Sequence, residues 1–190
     1  MRDFTYFFRQ FLKHPKQISS VIPTSGAVVR RLAMSIGRSG RLVIVEYGPG
    51  TGVLARAILR SGRLHEDSKL ILIEKTPGFV RHLRRRFTDP RVHVVQGSAE
   101  DVLSILRKCG ETHADYVFSS IPLSLMPRTT CNRILSATWS CLRPTGIFTV
   151  FIFRHRVREI MRHYFPRVRT RLEFFNIPPL FVFAATKGAK

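Results

Sequence analysis

A short apolar run that leads into a glycine-rich turn constrains the fold of this chain more than any other feature. Leu42 to Tyr47 is rich in valine and isoleucine and has the length of a buried parallel strand. The turn Gly48 to Gly52 reads Gly-Pro-Gly-Thr-Gly, and an amphipathic helix is predicted from about Val53 to Leu59. Because glycine has no Cβ, the chain can bend sharply there and amide N–H groups can point at a polar ligand. The stretch therefore predicts a strand, a ligand-binding turn and a helix.

The spacing of these glycines excludes two common phosphate-binding loops. No Lys-Ser or Lys-Thr pair follows the last glycine, so the turn is not a P-loop. The glycines occupy alternate positions, whereas the dinucleotide-binding fingerprint is G-x-G-x-x-G. Glu46 lies two residues before the first glycine. A plain strand-to-helix turn without a ligand is the alternative interpretation.

An acidic residue ends the second predicted strand, Lys69 to Ile73. Glu74 follows the glycine turn by roughly twenty residues, which is the position of a carboxylate that binds ribose hydroxyls. A carboxylate only accepts hydrogen bonds and has two oxygens, so it suits two neighbouring hydroxyl groups. The alternative is a surface carboxylate that pairs with Lys75 or Arg81. The spacing favours the ligand role.

The remaining pattern alternates strands and helices, which predicts an α/β fold with a largely parallel sheet. A crevice is expected beside the glycine turn, because the strand order is expected to reverse between the first and fourth strands. The last two strands would form an antiparallel hairpin with a turn at Asn176 to Pro179. The other predicted strands are Val92–Val95, Asp115–Phe118, Ile147–Phe153, Val168–Phe175 and Leu180–Ala185, and the other predicted helices are 25–36 with Thr24 or Ser25 as N-cap, Pro77–Phe87, one over Val102 to Leu106, Thr129–Leu142 and His155–Tyr164.

Composition and charge narrow the class of partner. A chain of 190 residues is long enough for one domain with a full core. Its formal charge of +20, from 32 lysines and arginines against 12 acidic residues, points to nucleic acid or an anionic membrane surface, unless the basic surface serves only solubility.

Cys109, Cys131 and Cys141 form no C-x-x-C pair and are predicted to be reduced thiols of a cytosolic protein. The histidines are dispersed, which predicts no metal site.

The first residues carry an aromatic stripe. Phe4, Phe7, Phe8, Phe11 and Leu12 recur at the spacing of one helical face, and basic residues flank them. Such a helix suits a membrane interface, where the rings enter the headgroup boundary and the cations meet anionic lipid. Packing against the core of the protein is the alternative. The chain has no apolar run long enough to span a bilayer and no recognisable secretion signal.

Together these motifs resemble those of a known enzyme family. Glu46 to Gly52, Glu74, Gly97 to Ala99 and Ser119 to Leu123 follow one another as in class I S-adenosylmethionine-dependent methyltransferases. Within that superfamily the chain is most similar to bacterial phospholipid N-methyltransferases, which methylate phosphatidylethanolamine toward phosphatidylcholine. The similarity extends to the basic amphipathic start, the Pro23 to Ser25 entry into a helix and the N-x-P-P hairpin turn.

The resemblance implies a Rossmann-like three-layer sandwich with a seven-stranded, mostly parallel sheet and an antiparallel C-terminal hairpin. It implies a membrane-binding helix and linker over residues 1–23 and a methyltransferase domain over residues 24–190. The methyl donor would be S-adenosylmethionine, which leaves S-adenosylhomocysteine. The enzyme would be cytoplasmic and peripherally bound to the inner face of the cytoplasmic membrane, with an anionic membrane surface and an amine-headgroup phospholipid as partners.

The same resemblance indicates the site residues. Backbone carbonyls around Ser119 to Pro122 would hold the amine. Tyr6 or Tyr47 would add a hydroxyl or a ring face to a methylated ammonium, and ordinary packing is the alternative for each tyrosine. The chain has Ser120 where the family usually has glycine and Ser98 where it often has aspartate, so the side chain that contacts the adenine stays open. The residues expected to bind the cofactor are Glu46, Tyr47, Gly48, Gly50, Thr51, Gly52, Glu74, Lys75, Gly97, Ser98, Ala99 and Ser119, and those expected to act in the transfer are Ser119, Ile121, Pro122 and Tyr6.

Two other functions fit part of the sequence. An RNA adenine N-methyltransferase of the rRNA dimethylase type would also use a proline in the fourth motif, and the basic charge suits RNA. Such enzymes place an aromatic residue after that proline to stack on the base, but here Leu123 follows Pro122. A basic binding module that keeps the fold without turnover is the other alternative.

Overall fold

One sheet organises the residues that this computed structural model describes, which are 24–38, 40–153, 157–176 and 178–187. Its seven strands lie in the order β3-β2-β1-β4-β5-β7-β6. The strands are β1 (Val43–Tyr47), β2 (Lys69–Glu74), β3 (Val92–Gln96), β4 (Ala114–Ser119), β5 (Leu142–Ile152), β6 (Arg167–Glu173) and β7 (Leu180–Thr186). The described α-helices are α1 (Gly26–Met34), α2 (Val53–Arg60), α3 (Pro77–Arg86), α4 (Val102–Lys108), α5 (Arg128–Cys141) and α6 (Val157–Arg162).

The direction of the strands creates a crevice at one edge of the sheet. β1 pairs in parallel with β2 and β4, β2 pairs with β3, and β4 pairs with β5. β7 runs antiparallel to both β5 and β6. The chain winds outward from β1 to β3 and then in the other direction from β4, which leaves a crevice at the carboxyl ends of β1 and β4. The predicted sheet, hairpin and strand-order reversal are therefore confirmed.

Helices cover both faces of the sheet and form a three-layer sandwich. Val43, Val45 and Tyr47 of β1 face a core that includes α4, α5 and α6. Ile44 faces a second core that includes α1, α2 and Leu83 of α3. Because successive side chains of a strand point to opposite faces, a strand buried on both faces is apolar along most of its length.

The start of β5 differs from its predicted start. Leu142 of β5 pairs with Ala114, whereas Ile147 pairs with Tyr116 only two residues along β4. β5 therefore contains extra residues in an irregular stretch, as at a β-bulge. The prediction began the strand at Ile147 and was wrong, because the proline and glycine in this stretch are turn signals in a sequence.

The first described helix begins where the sequence predicts. The hydroxyl of Ser25 caps α1 by accepting a hydrogen bond from the Val28 N–H at 3.4 Å. The Ser25 N–H donates to the Asn176 side-chain oxygen at 2.7 Å, which links the start of α1 to the β6–β7 turn. The aromatic stripe, Tyr6 and the expected membrane-binding segment 1–23 lie outside the described residues. Among the described helices none is both long and apolar enough to cross a bilayer.

Candidate functional site

A cavity of about 450 Å³ lies at the carboxyl ends of β1, β2 and β4. Its polar side is formed by the glycine turn, the end of β2 and the end of β3. Its apolar side is formed by the end of β4, the start of α5 and parts of α1 and β5. The lining residues expected from the sequence are Glu46, Tyr47, Gly48, Gly50, Thr51, Glu74, Lys75, Gly97, Ser98, Ala99, Ile121 and Pro122.

Each glycine of the turn has a backbone conformation that favours glycine. The φ angles of Gly48, Gly50 and Gly52 are 66°, 55° and 76°. A Cβ on Gly48 would lie 2.7 Å from the Ile121 side chain, and one on Gly52 would lie 2.4 Å from the Phe87 ring. The turn thus packs tightly against the end of β4 and against α3. Gly52 serves that packing and does not line the cavity.

The amide groups of these glycines donate within the protein. The Gly48 N–H donates to the Ile73 carbonyl at 3.0 Å, and the Gly52 N–H donates to the Pro49 carbonyl at 2.8 Å. The Gly50 N–H donates to a carboxylate oxygen of Glu74 at 3.2 Å. The expectation that the glycine amides point at a ligand is therefore wrong for these three groups.

The Glu74 carboxyl group is held by the main chain at the cavity wall. Besides the Gly50 N–H, the Thr76 N–H donates to it at 2.8 Å. Burial raises the pKa of Glu74, and hydrogen bonds from the Thr76 and Gly50 amides oppose the rise. The Thr76 hydroxyl and the Lys75 backbone also form hydrogen bonds with this group. The protein therefore supplies about as many donors as the roughly four acceptor positions of a carboxylate.

A second buried carboxyl group, Glu46, lies in the same wall. Burial raises its pKa to about 8, with the Glu74 charge adding to the rise and a hydrogen bond from the Ala55 backbone opposing it. One of its oxygens has no hydrogen-bond partner among the residues that the structure describes. Buried polar atoms without partners are rare, so this oxygen marks a position for a donor that the protein itself does not supply.

Tyr47 lines the cavity, but its hydroxyl is used elsewhere. The side chain belongs to the core on the α5 face, and the hydroxyl lies 3.1 Å from the Thr138 hydroxyl. Because Thr138 donates its own proton to the Ile134 carbonyl at 2.7 Å, Tyr47 donates to Thr138. The Tyr47 hydroxyl therefore has the packing role that the sequence left as the alternative.

The turn after β3 lies opposite the glycine turn. Gly97, Ser98 and Ala99 line the cavity, and the Ser98 hydroxyl caps the next short helical turn by accepting from the Glu100 N–H at 3.3 Å. The Glu100 carboxylate also lines the cavity and pairs with Arg133 of α5. Ser98 therefore has a structural role as a cap that does not depend on any ligand.

The residues predicted to act in the transfer differ in where they lie at the end of β4. Ile121 and Pro122 line the cavity, whereas Ser119 is fully buried and does not. The Ser119 hydroxyl has no hydrogen-bond partner among the described residues. The neighbouring Ser120 hydroxyl donates to the Gly48 carbonyl at 2.8 Å and joins β4 to the glycine turn. The serine at this position, where glycine was expected, thus ties together two walls of the cavity.

Apart from Ile121 and Pro122, the apolar side of the cavity was not predicted. The segment before α5 and the first turns of α5 contribute to it, and so do one residue each of α1 and β5. Thr130 and Ile134 lie four residues apart, which is the one signal in the sequence that they share a helix face. The residues of this side are Val29, Ile121, Pro122, Leu125, Met126, Pro127, Thr130, Ile134 and Phe151. The cavity thus combines two buried carboxyl groups with an apolar wall.

The absence of a metal site stays a prediction. In the described part of the chain, the ligand atoms of His65, Glu66 and Asp67 lie within 4.8 Å of one another. All three side chains are exposed, and none of them lines the cavity. Exposed acidic groups of this kind occur commonly without an ion.

Comparisons with known proteins agree on the kind of domain. The family described as methyltransferase domain matches residues 44–146. Ornithine lipid N-methyltransferase of Singulisphaera acidiphila is 32% identical over 181 residues, which are 94% of this chain and 93% of that protein.

Solved structures extend the comparison to the fold. Precorrin-6y C5,15-methyltransferase of Geobacter metallireducens superposes with a TM-score of 0.69 at 13% identity, over 90% of this chain and 95% of that one. A putative rRNA methylase of Clostridium thermocellum gives a TM-score of 0.64 at 17% identity, over 87% and 97% of the two chains. At these identities the superpositions show a shared fold alone.

Proposed function

This chain belongs to the class I S-adenosylmethionine-dependent methyltransferases, and we propose that it transfers methyl groups to the headgroup amine of a membrane lipid. The family model covers more than half of the chain, and the ornithine lipid N-methyltransferase is similar over nearly all of it. The observation that carries the choice of substrate is the apolar wall beside the two buried carboxyl groups.

The cavity fits S-adenosylmethionine, the methyl donor of the family. Its volume of about 450 Å³ lies in the usual range for pockets that hold ligands of this size. Ribose hydroxyls would donate to the Glu74 carboxylate in place of some of its protein donors, and the unpartnered oxygen of Glu46 suits a cationic donor such as an ammonium. When bound, this cofactor supplies a methyl group activated by a sulfonium charge.

We assign the cofactor contacts to the residues that line the polar side. Gly48, Gly50 and Thr51 would contribute main-chain surface, and Gly97 to Ala99 would flank the base. Tyr47 would contribute its main chain only, because its hydroxyl binds Thr138. Lys75 is exposed at the rim. Ser119 and Gly52 would act indirectly, because both lie behind the wall.

The residues of the chain would orient and neutralise the acceptor amine. A lipid ammonium has a pKa near that of lysine, about 10.4, and must lose its proton before it can attack a methyl group. Burial against Ile121, Pro122 and Met126 disfavours the charged ammonium and so lowers that pKa. Backbone carbonyls near Pro122 would hold the amine in line, and solvent can take the proton. A role for Tyr6 stays a prediction.

Two amine lipids are candidates for the acceptor. The motifs led to phosphatidylethanolamine, whose stepwise methylation leads to phosphatidylcholine. The name of the bacterial relative favours an ornithine lipid, because ornithine also presents a primary amine. Both place the amine at the end of a lipid headgroup, which the apolar wall could receive from a membrane surface.

Membrane binding would bring the lipid to the cavity. We propose that residues 1–23 form the membrane-binding segment and that residues 24–190 form the catalytic domain, at the inner face of the cytoplasmic membrane. Thr24, the first described residue, lines the cavity, so the segment joins the domain beside the proposed acceptor site. The +20 charge suits an anionic bilayer.

The test is a transfer assay with labelled S-adenosylmethionine. Vesicles of phosphatidylethanolamine, vesicles of ornithine lipid and a structured RNA are offered separately, and the products are identified by mass. Methylated lipid from either vesicle is expected, and Gly50→Val, which forces a β-branched residue into a φ of 55°, serves as the inactive control. Methylated RNA without methylated lipid would favour the RNA alternative. Failure to bind S-adenosylhomocysteine in calorimetry would favour a non-catalytic module.

A further inference from the structure

The turn between β6 and β7 exposes large apolar side chains. Phe174 and Phe175 are 72% and 68% exposed, and Leu172 is 37% exposed. Only Met34 and Leu125 are comparable among the large apolar side chains that the structure describes. Phenylalanine is normally buried, and a cluster of exposed apolar residues marks an interaction surface.

Arginines line the strand that leads into this turn and the helix beside it. The exposed Arg167, Arg169 and Arg171 alternate along β6, so they share one face of this edge strand. Arg171 pairs in register with Val182, which packs in the same core as α1, so the three arginines lie on the α1 side of the sheet. Exposed Arg30 and Arg31 of α1 add two charges on that side.

Direct contacts join the arginines to the turn. The guanidinium of Arg31 lies 5.5 Å from the centre of the Phe175 ring and 2.7 Å from the Glu173 carboxylate. Arg171 also pairs with Glu173, at 2.6 Å. Glu173 is only 1% exposed, so the surface itself is cationic. We call this surface the hairpin patch, and its members are Arg30, Arg31, Arg167, Arg169, Arg171, Phe174 and Phe175.

The turn of the hairpin patch, which carries Phe174 and Phe175, lies at the same edge of the sheet as the cavity, whereas Arg167 lies at the other end of β6. Ile152, at the carboxyl end of β5, pairs with Phe181 near the start of β7, so the β6–β7 turn follows the carboxyl ends of the parallel strands. The hydrogen bond from Ser25 to Asn176 joins this turn to the start of α1, and the adjacent Thr24 lines the cavity. A flat surface that received the two rings of this turn would therefore lie beside the cavity.

We propose that the hairpin patch docks on an anionic lipid bilayer, with Phe174 and Phe175 inserted at the headgroup boundary. Adjacent aromatic rings framed by guanidinium groups match what an anionic membrane interface binds. Single-stranded nucleic acid instead stacks on aromatics spread over a sheet face, whereas these rings lie at the end of a turn. The inference rests on the proposed function, because docking here would bring lipid amines to the cavity.

The first experiment measures sedimentation of the full chain with vesicles of phosphatidylglycerol and phosphatidylcholine. Phe174→Gln with Phe175→Gln, and separately Arg167→Glu with Arg169→Glu, are expected to lower the partition coefficient about tenfold or more. The matched controls are Met34→Gln, an exposed apolar residue at the other end of α1, and Arg81→Glu with Arg85→Glu on α3. The controls are expected to stay within about twofold of the wild type. Equal losses in the two arginine pairs would mean that the general basic charge drives binding and would overturn the proposal.

A second measurement tests insertion directly and does not depend on the loss of an interaction. Phe175→Trp should be quenched by lipids brominated along the acyl chains, while Met34→Trp should not be, with Trp139 as a background common to both. If residues 1–23 of this chain cover the turn, Phe175→Trp will be shielded without vesicles and unquenched with them, which would overturn the proposal. The same holds if the patch variants lose affinity for an RNA oligonucleotide and keep their affinity for vesicles.

A third measurement separates this inference from the proposed function. Methyl transfer to an amine lipid dispersed in detergent micelles should be near the wild-type rate in the Phe174→Gln and Phe175→Gln double variant, and transfer on vesicles should fall about tenfold. If the wild type methylates no lipid in micelles but still docks through the patch, the proposed function fails and the docking surface stands. If the double variant docks like the wild type while the lipid is methylated, the docking surface fails alone.

Discussion

Replacing Glu46 with glutamine should make the stability of the ligand-free protein less dependent on pH. Glu46 is 2% exposed, one of its oxygens has no partner among the described residues, and its pKa is raised from 4.5 to about 8. Burial is the main cause, and the neighbouring Glu74 charge adds to it. The glutamine side chain has nearly the same shape as glutamate, and it does not ionise in this pH range.

The sign and size of the effect follow from proton binding. Between pH 4.5 and about 8 the folded chain holds a proton on Glu46 that the unfolded chain has released. The contribution of Glu46 to stability is therefore fully present below pH 4.5 and is lost as the pH rises towards 8. Stability falls by about 1.4 kcal/mol per pH unit, so the total loss between pH 4.5 and about 8 is on the order of 5 kcal/mol.

Urea unfolding followed by circular dichroism measures this effect. The free energy of unfolding is determined without cofactor at about pH 6, 7 and 8 for the wild type, Glu46→Gln and the control Glu66→Gln, an exposed loop residue. The wild type and the control should lose stability with pH in parallel. Glu46→Gln should lose about 1.4 kcal/mol less per unit between about pH 6 and 7, and roughly half of that slope difference should remain near pH 8, where Glu46 of the folded chain is itself ionising. Equal slopes in the wild type and Glu46→Gln would refute the reasoning. A residual slope in the variant is expected, because burial also raises the pKa of Glu74.

Three further predictions concern packing, a buried hydrogen bond and the N-terminal stripe. Gly52→Ala should lower the free energy of unfolding by roughly 2–4 kcal/mol in urea, because the new Cβ meets a ring at 2.4 Å and φ is 76°; a change below about 1 kcal/mol would contradict the tight packing. Thr138→Val should cost about 1–3 kcal/mol in the same assay by removing the hydroxyl partner of Tyr47, which then keeps only the weaker hydrogen bond with Cys141, and adding Tyr47→Phe should restore part of that loss. Phe7→Glu with Phe8→Glu should weaken vesicle binding at least about tenfold and spare the affinity for S-adenosylhomocysteine; unfolding of this variant would show that the stripe is core.

The sequence predicted the order of strands and helices because that information is local. An apolar run such as Leu42 to Tyr47 can be identified as a strand buried on both faces without knowing which elements pack against it. The start of β5 was missed because it depends on pairing with Ala114, which is distant in sequence. A proline and a glycine near the start of a strand are interpreted as a turn before it, unless that pairing is known.

The alternation of side chains along β1 predicts the position of the Tyr47 side chain better than the motif does. Glu46 and Tyr47 are adjacent in β1, so their side chains point to opposite faces of the sheet. The motif assigned both to the ligand, yet the Tyr47 hydroxyl meets Thr138 in the core of the other face. The alternation of Val43 and Val45 with Tyr47 would have predicted this. The apolar wall had no such signal, because segments far apart in the chain contribute to it.

The two buried carboxyl groups would give the polar side of the cavity a preference for a cation. Glu46 and Glu74 lie close enough for the charge of one to raise the pKa of the other, and each resists ionisation because it is buried. The ligand-free protein therefore bears a cost that hydrophobic residues at these positions would avoid. A positively charged ligand that donates to the unpartnered oxygen of Glu46 would remove that cost, whereas a neutral ligand of the same shape would not. Glu46 should thus lower the stability of the ligand-free protein at high pH and strengthen the binding of a cation. Glu46→Gln should remove both effects together.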